Sequence, residues 1–173
     1  MKKAIVLDTS AFIAGFDPHS IPEEQFTVSE VKNELNTGSM PWIRFNAAIE
    51  NGKVRILKPK DIFIQDILDT SKKVGDIRYL SKADLQVLAL ALELKSTDSI
   101  SPLIVTDDYS IQNVANKIGV EFTSLMTFGI KYRFKWILYC PGCYRKYPSD
   151  YKSKDCEICG TELKRKPKKK SHL

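Results

Sequence analysis

Short apolar runs alternate with longer amphipathic stretches along the first 124 residues. Residues 3–7 are almost wholly apolar, as is Leu103-Ile104-Val105-Thr106. Such runs suit strands of a parallel sheet, which are covered on both faces. Residues 54–57 and 120–122 complete the predicted strands. Between them the spacing of apolar residues predicts helices. One starts at Ser29 as N-cap, continues through Glu30, Val31 and Leu35 and ends near Gly38. A second covers residues 43–51 and stops at Gly52. A third covers residues 61–74, with Ile62, Ile64, Ile67 and Leu68 along one face. Ser81 caps a fourth over residues 83–94, and a fifth spans residues 109–118 before Gly119. Strands alternating with helices imply right-handed crossovers, hence an α/β domain with a parallel sheet between helical layers.

The pattern changes beyond Phe128, where Tyr132, Phe134, Trp136, Tyr139, Tyr144 and Tyr147 interleave with Arg133, Lys135, Arg145 and Lys146. Charge divides at the same place. Residues 1–130 hold 14 Lys and Arg against 17 Asp and Glu, whereas residues 131–173 hold 13 against 4. A basic end on a mildly acidic domain is the distribution of a chain that meets a polyanion, most simply nucleic acid. No run is long and apolar enough to cross a bilayer, and Asp8 cuts short the apolar stretch at the N-terminus, so no signal peptide is expected there. The expectation is a cytoplasmic protein.

In an open parallel sheet functional groups gather beyond the carboxyl ends of the strands, at the point where strand order reverses. Asp8 follows the first strand directly, and Asp107 and Asp108 follow the 103–106 strand. Glu34 projects from the first helix, and Asp84 lies in the first turn of the Ser81-capped helix. Carboxylates brought together repel unless a cation neutralises them, and hard oxygen ligands at an open site suit Mg2+ or Mn2+. Each acid also has a plainer reading. Asp84 is the fourth residue of a capping box, and one of Asp107 and Asp108 can cap the next helix.

All four cysteines lie in the last 34 residues, as Cys140-x2-Cys143 and Cys156-x2-Cys159. Two such knuckles supply four thiolates to one point, the tetrahedral requirement of Zn2+. Zinc held by four cysteines keeps no open position, so its role is structural. Gly142 and Gly160 are expected to ease the tight backbone of the knuckles. After them, six of the seven residues from Lys164 to Lys170 are basic, which reads as a disordered tail. Arg145, Lys146, Lys164, Arg165 and Lys166 are the candidate RNA contacts.

The strings Ile5-Val6-Leu7-Asp8-Thr9-Ser10-Ala11-Phe12-Ile13, Val28-Ser29-Glu30-Val31-Lys32-Asn33-Glu34-Leu35, Leu80-Ser81-Lys82-Ala83-Asp84 and Val105-Thr106-Asp107-Asp108-Tyr109 together resemble the PIN-domain nucleases. The resemblance covers about residues 3–124. It implies a PIN-type sheet and a divalent metal held by Asp8, Glu34, Asp84 and one of Asp107 and Asp108, with Asp108 favoured by a Thr-x-Asp pattern. It also implies that Thr9 or Ser10 orients Asp8. Continuation into two cysteine knuckles resembles the Nin-one-binding (Nob) endonucleases in their short, archaeal-type form. That likeness implies Mn2+- or Mg2+-dependent cleavage of precursor small-subunit ribosomal RNA within a pre-ribosomal particle. The expected organisation is a PIN domain over residues 1–128, a zinc ribbon with a short linker over 129–163, and the basic tail over 164–173. A toxin-like or general PIN ribonuclease and a catalytically inert RNA-binding scaffold are the alternatives.

Overall fold

The computed structural model describes residues 1–125, 132–148 and 150–172. Chain order is β1 (Lys2–Leu7), α1 (Thr9–Ile13), β2 (Glu24–Thr27), α2 (Ser29–Glu34), α3 (Met40–Glu50), β3 (Val54–Ile56), α4 (Asp61–Val74), α5 (Lys82–Lys95), β4 (Ile100–Val105), α6 (Tyr109–Ile118) and β5 (Glu121–Thr123). Three further strands follow, β6 (Tyr132–Tyr139), β7 (Lys146–Tyr147) and β8 (Lys164–His172). The first five strands form one parallel sheet in the order β3-β2-β1-β4-β5. The chain thus builds outward from β1 to β3, then crosses back to place β4 on the other side of β1. That reversal puts the switch point between the carboxyl ends of β1 and β4, with Leu7 opposite Val105.

Burial explains the central pair of strands. Val6, Leu7 and Ile104 have no exposed surface, and Val87, Leu88 and Ala89 of α5 cover the sheet with none either. Each fully buried valine, leucine or isoleucine among these contributes about 1.5–3 kcal/mol. The rings of Phe12 and Phe45 meet edge to face at 5.2 Å and tie α1 to α3. Helix α6 spans the predicted residues, with Asp108 as N-cap and Gly119 in the left-handed conformation as C-cap.

Some local expectations change. Helix α2 has Val28 as its N-cap, with no side-chain cap bond, so Ser29 is the first helical residue and not the cap. The helix ends at Glu34 instead of near Gly38, because Leu35 turns extended and buries its side chain. Strand β2 has no apolar run to announce it. Its Gln25 and Thr27 are buried polar residues: Gln25 Nε2 donates to the Pro18 carbonyl, with Oε1 left unpartnered, and the Thr27 hydroxyl donates to the Leu7 carbonyl.

The second sheet is antiparallel, in the order β7-β6-β8. Residues 164–172, read from composition as a disordered tail, are strand β8. The register runs from Tyr139 opposite Lys164 to Tyr132 opposite His172. β6 is the central strand, and without β8 one of its sides would present a row of unpaired backbone groups, which residues 164–172 satisfy despite their charge. Pro167 is tolerated because β8 is itself an edge strand and the register shifts beside Pro167's partner Trp136. The boundary expected between residues 128 and 129 lies outside the described residues.

Candidate active site and metal centre

Asp8 caps α1 and is 2% exposed. Its Oδ2 accepts from the Ser10 hydroxyl and from the Thr106 hydroxyl, both at 2.8 Å. Those hydroxyls also receive the backbone N–H groups of Asp107 (3.0 Å, to Ser10) and Asp108 (3.1 Å, to Thr106). Two small side chains thereby lock the end of β1 to the end of β4 and fix one oxygen of Asp8. Its other oxygen, Oδ1, is buried with no hydrogen-bond partner. Burial pushes the Asp8 carboxyl above its ordinary range, against the pull of the Ser10 and Thr106 bonds.

Asp84 has both of its possible identities at once. Its Oδ2 accepts the Ser81 N–H at 2.6 Å and its own N–H donates to the Ser81 hydroxyl, which completes a capping box. It is also a member of the acidic cluster. Burial pushes its carboxyl up to about 6, the Ser81 backbone bond opposes this, and the charges of Asp8 and Asp108 add to the rise. Asp8, Asp84 and Asp108 therefore sense one another across the switch point.

Asp108 gives Oδ1 to the Ser110 N–H as cap of α6. Asp107 turns toward β5, where its Oδ1 accepts from the Ser124 hydroxyl and from the Leu125 N–H at 3.0 Å. Thr9, beside Asp8, donates its hydroxyl to Glu34 Oε2 at 2.5 Å and so anchors the exposed Glu34 at the cluster's margin. Ser10 is thus the orienting hydroxyl for Asp8, and Thr9 serves Glu34.

One further acid escapes a reading of the sequence. Asp76, in the α4–α5 connection, is 1% exposed. Its Oδ2 accepts from Asn113 Nδ2 of α6 at 2.5 Å, and its Oδ1 from Arg165 of β8 at 2.6 Å. The Arg165 guanidinium lies 3.6 Å from the centroid of the Tyr79 ring. Burial pushes the Asp76 carboxyl up to about 6, the Asn113 and Arg165 contacts restrain it, and Asp108 raises it further. Its only sequence clue is an isolated acid after Gly75, which reads as a loop.

Among the described residues, the four cysteines bring their sulfurs within 4.8 Å of one another. Cys140 and Cys159 are 3.3 Å apart and Cys143 and Cys156 3.5 Å, near the edge of about 3.8 Å implied by a tetrahedron of Zn–S bonds of roughly 2.3 Å. The Tyr147 hydroxyl, 3.0 Å from Cys156 Sγ, is the main cause holding that thiol down at about 6. Gly142 is needed for closeness and not for its backbone angle, since a Cβ there would stand 2.8 Å from Thr161 Oγ1. The carboxylates do not reach this spacing, so a cation between them must draw them in or use water as part of its shell, as Mg2+ usually does. The orphaned Asp8 Oδ1 suits such a cation.

The candidate RNA contacts divide. Lys164 and Lys146 are exposed, Lys166 lies 4.5 Å over the Tyr139 ring, and Arg145 pairs with Glu157 at 3.3 Å on the surface. Arg165 is engaged within the protein: its guanidinium is turned onto Asp76 and Tyr79. Leu138, opposite Arg165 in the register, is buried too, so this face of the β6–β8 ribbon meets the first domain and the Lys164 and Lys166 face is the outer one. A cleft of about 610 Å³ lies between the modules, with Arg78, Tyr79, Leu138, Lys152 and Lys154 in its walls. No helix among the described residues is long and apolar enough to cross a membrane.

A family model described as the PIN domain of ribonuclease matches residues 5–94, which include Asp8, Glu34 and Asp84. Endoribonuclease Nob1 of Methanothermobacter thermautotrophicus is 38% identical over 166 residues, 96% of this chain and 93% of that protein. Endoribonuclease Nob1 of Pyrococcus abyssi is 36% identical over 169 residues, 98% of this chain and 97% of that one. Ribonuclease VapC1 of Thermoplasma acidophilum is 34% identical over 160 residues, 92% of this chain and 76% of that protein.

Proposed function

Since this chain belongs to the PIN-domain endoribonucleases of the Nob1 type, we propose that it hydrolyses one phosphodiester of precursor small-subunit ribosomal RNA, at the 3′ end of the mature sequence. The RNA would be presented on a pre-ribosomal particle in the cytoplasm. The observation that carries the reading is the gathering of Asp8, Asp84 and Asp108 at the switch point, with one buried Asp8 oxygen unpartnered. Asp8, Asp84 and Asp108 would hold a Mn2+ or Mg2+ ion, with Glu34 and Asp107 at the margin to position water. The ion supplies a lowered pKa for water and charge stabilisation at the phosphate. Ser10 and Thr106 keep Asp8 Oδ2 occupied, which would leave the unpartnered Oδ1 to serve the ion. Zn2+ at Cys140, Cys143, Cys156 and Cys159 would hold the ribbon's shape, while Arg145, Lys146, Lys164 and Lys166 meet phosphates.

The test is incubation with an RNA spanning the small-subunit 3′ end in Mn2+, with products mapped to the nucleotide. A single cut at the mature end is expected. The similarity to Ribonuclease VapC1 favours a second reading, a less selective ribonuclease, and scattered cuts in unrelated RNAs would establish that one instead.

A further inference from the structure

The two cysteine knuckles have the same backbone. In the first, the Tyr144 N–H donates to the Cys140 carbonyl at 2.9 Å and the Cys140 N–H to the Arg145 carbonyl at 2.8 Å. In the second, the Gly160 N–H donates to the Cys156 carbonyl and the Cys156 N–H to the Thr161 carbonyl, both at 2.9 Å. Tyr144 and Gly160 therefore occupy equivalent positions, one residue past each second cysteine. Both are left-handed, with φ of 61° and 69°. Glycine adopts that conformation without strain, whereas a bulky side chain is held in it at a cost. Tyr144 is the one residue other than glycine with positive φ among those described.

The ring does not recover that cost by packing. Tyr144 is 75% exposed, while Tyr147, three residues on, is 5% exposed and belongs to the ribbon's core. A glycine would close the first knuckle at least as well, as it closes the second. The side chain is thus strained and directed to solvent, on a module whose charge is strongly positive. Arg145 and Lys146 follow it directly. An exposed aromatic ring amid cations has the chemistry that stacks on an unpaired base while its neighbours meet the phosphates.

We propose that Tyr144 is a nucleobase-stacking residue, placed by the first knuckle to take an unpaired base of single-stranded RNA held on the ribbon. The inference rests on the ribonuclease reading above and gives that reading a specific contact. Base stacking of this kind corresponds to a loss of about 5- to 100-fold in affinity when the ring is removed.

The experiment uses the zinc-loaded full chain carrying Asp8→Asn, so that RNA is bound and not cut. The probe is a fluorescent oligoadenosine of about ten nucleotides. Tyr144→Gly and Tyr144→Asn, both compatible with a left-handed backbone, should bind it about 5- to 100-fold more weakly. Tyr144→Phe and Tyr144→Trp should stay within about three-fold of the parent. The dependence of affinity on salt should not change, because the ring neutralises no phosphate. Zinc content should be unchanged and the Tm of Tyr144→Gly equal or higher, since strain is relieved. Undiminished affinity in Tyr144→Gly and Tyr144→Asn would overturn the proposal and leave the ring to a protein partner or to solvent. So would a lower Tm with loss of zinc in both, which would make the ring a folding element. Cleavage by the unsubstituted chain in Mn2+ is scored separately. Its absence would sink the nuclease reading and leave the binding comparison interpretable.

Discussion

Asp8 holds its two oxygens in opposite circumstances, one fixed by Ser10 and Thr106 and one buried without a partner. Asp8→Asn removes the charge a cation needs but little that RNA touches. It should lower cleavage by at least about 100-fold and leave RNA affinity within a few-fold, as measured by single-turnover cleavage and by equilibrium binding. Asp84 permits a test on stability. Its carboxyl is pushed up to about 6, so the fold prefers it protonated more strongly than the unfolded chain does. The stability this contributes is fully present below about pH 3.8 and is lost as pH rises through about 6. Without divalent ions, Asp84→Asn should therefore stabilise the protein at pH 7, by roughly 2 kcal/mol, while abolishing cleavage. Added Mn2+ should raise the Tm of the parent and not of the variant. A variant that melts lower than the parent in the metal-free state would show the capping role of Asp84 to outweigh its repulsion. The Mn2+ concentration needed to raise the Tm of the parent should increase as pH falls through about 6, since in the metal-free cluster the proton competes with the cation for Asp84.

At the scale of elements, β8 is the part whose character changed most between sequence and structure. A tail would add only diffuse positive charge, but a strand has two faces with different tasks. On the inner face Arg165 neutralises Asp76, and breaking such a pair strands a buried carboxylate. Arg165→Met should cost about 2–3 kcal/mol in urea unfolding. Adding Asp76→Asn should recover much of that stability, because no charge is then left without a partner. If Arg165→Met proves neutral, the pair does not hold the strand. On the outer face Lys164 and Lys166 remain for phosphates. Lys164→Gln with Lys166→Gln should reduce the log–log salt slope of single-stranded RNA binding by about 1 to 1.5, near 0.7 for each phosphate that a lysine no longer neutralises. An unchanged slope would move the RNA path elsewhere, the cleft between the modules being the next place to look.

For the whole molecule, the larger core includes β1, β4 and α5, and a separate small cluster joins Leu138, Cys140, Tyr147 and Cys156. That second cluster is too small to fold on burial alone, and two of its members, Cys140 and Cys156, are among the four proposed zinc ligands. A chelator should therefore unfold residues from about 140 to 163 and leave the parallel sheet intact. Heteronuclear NMR would follow both at once, and persistent dispersion of the ribbon signals after metal removal would contradict a structural zinc. Because β8 closes the ribbon and also meets Asp76, zinc loss should shift the Asn113 and Asp76 resonances although both lie in the first domain.

The parallel sheet, the ends of α6, the Ser81 cap and the four cysteines were legible in the sequence, because each is set by short-range chemistry. Apolar runs, cap residues and Cys-x2-Cys spacing act within a few positions of the chain. The nearness of Asp8 to Asp108 was legible for a related reason, since topology alone sends strand ends to one edge. Strand β2 was not, because its polar Gln25 and Thr27 are buried only once the chain has folded, Thr27 against the Leu7 carbonyl of β1. Nor were Asp76, the inward turn of Arg165, the pairing of the tail with β6, or the left-handed backbone of Tyr144. Each of these rests on a partner 89 residues away, on a strand side that only a later segment pairs, or on a turn closed by backbone hydrogen bonds between Cys140 and residues 144 and 145. Local pattern decides which segments become helix or strand. Where a charge finds its counter-charge is decided only when distant segments have come together and water has been excluded between them.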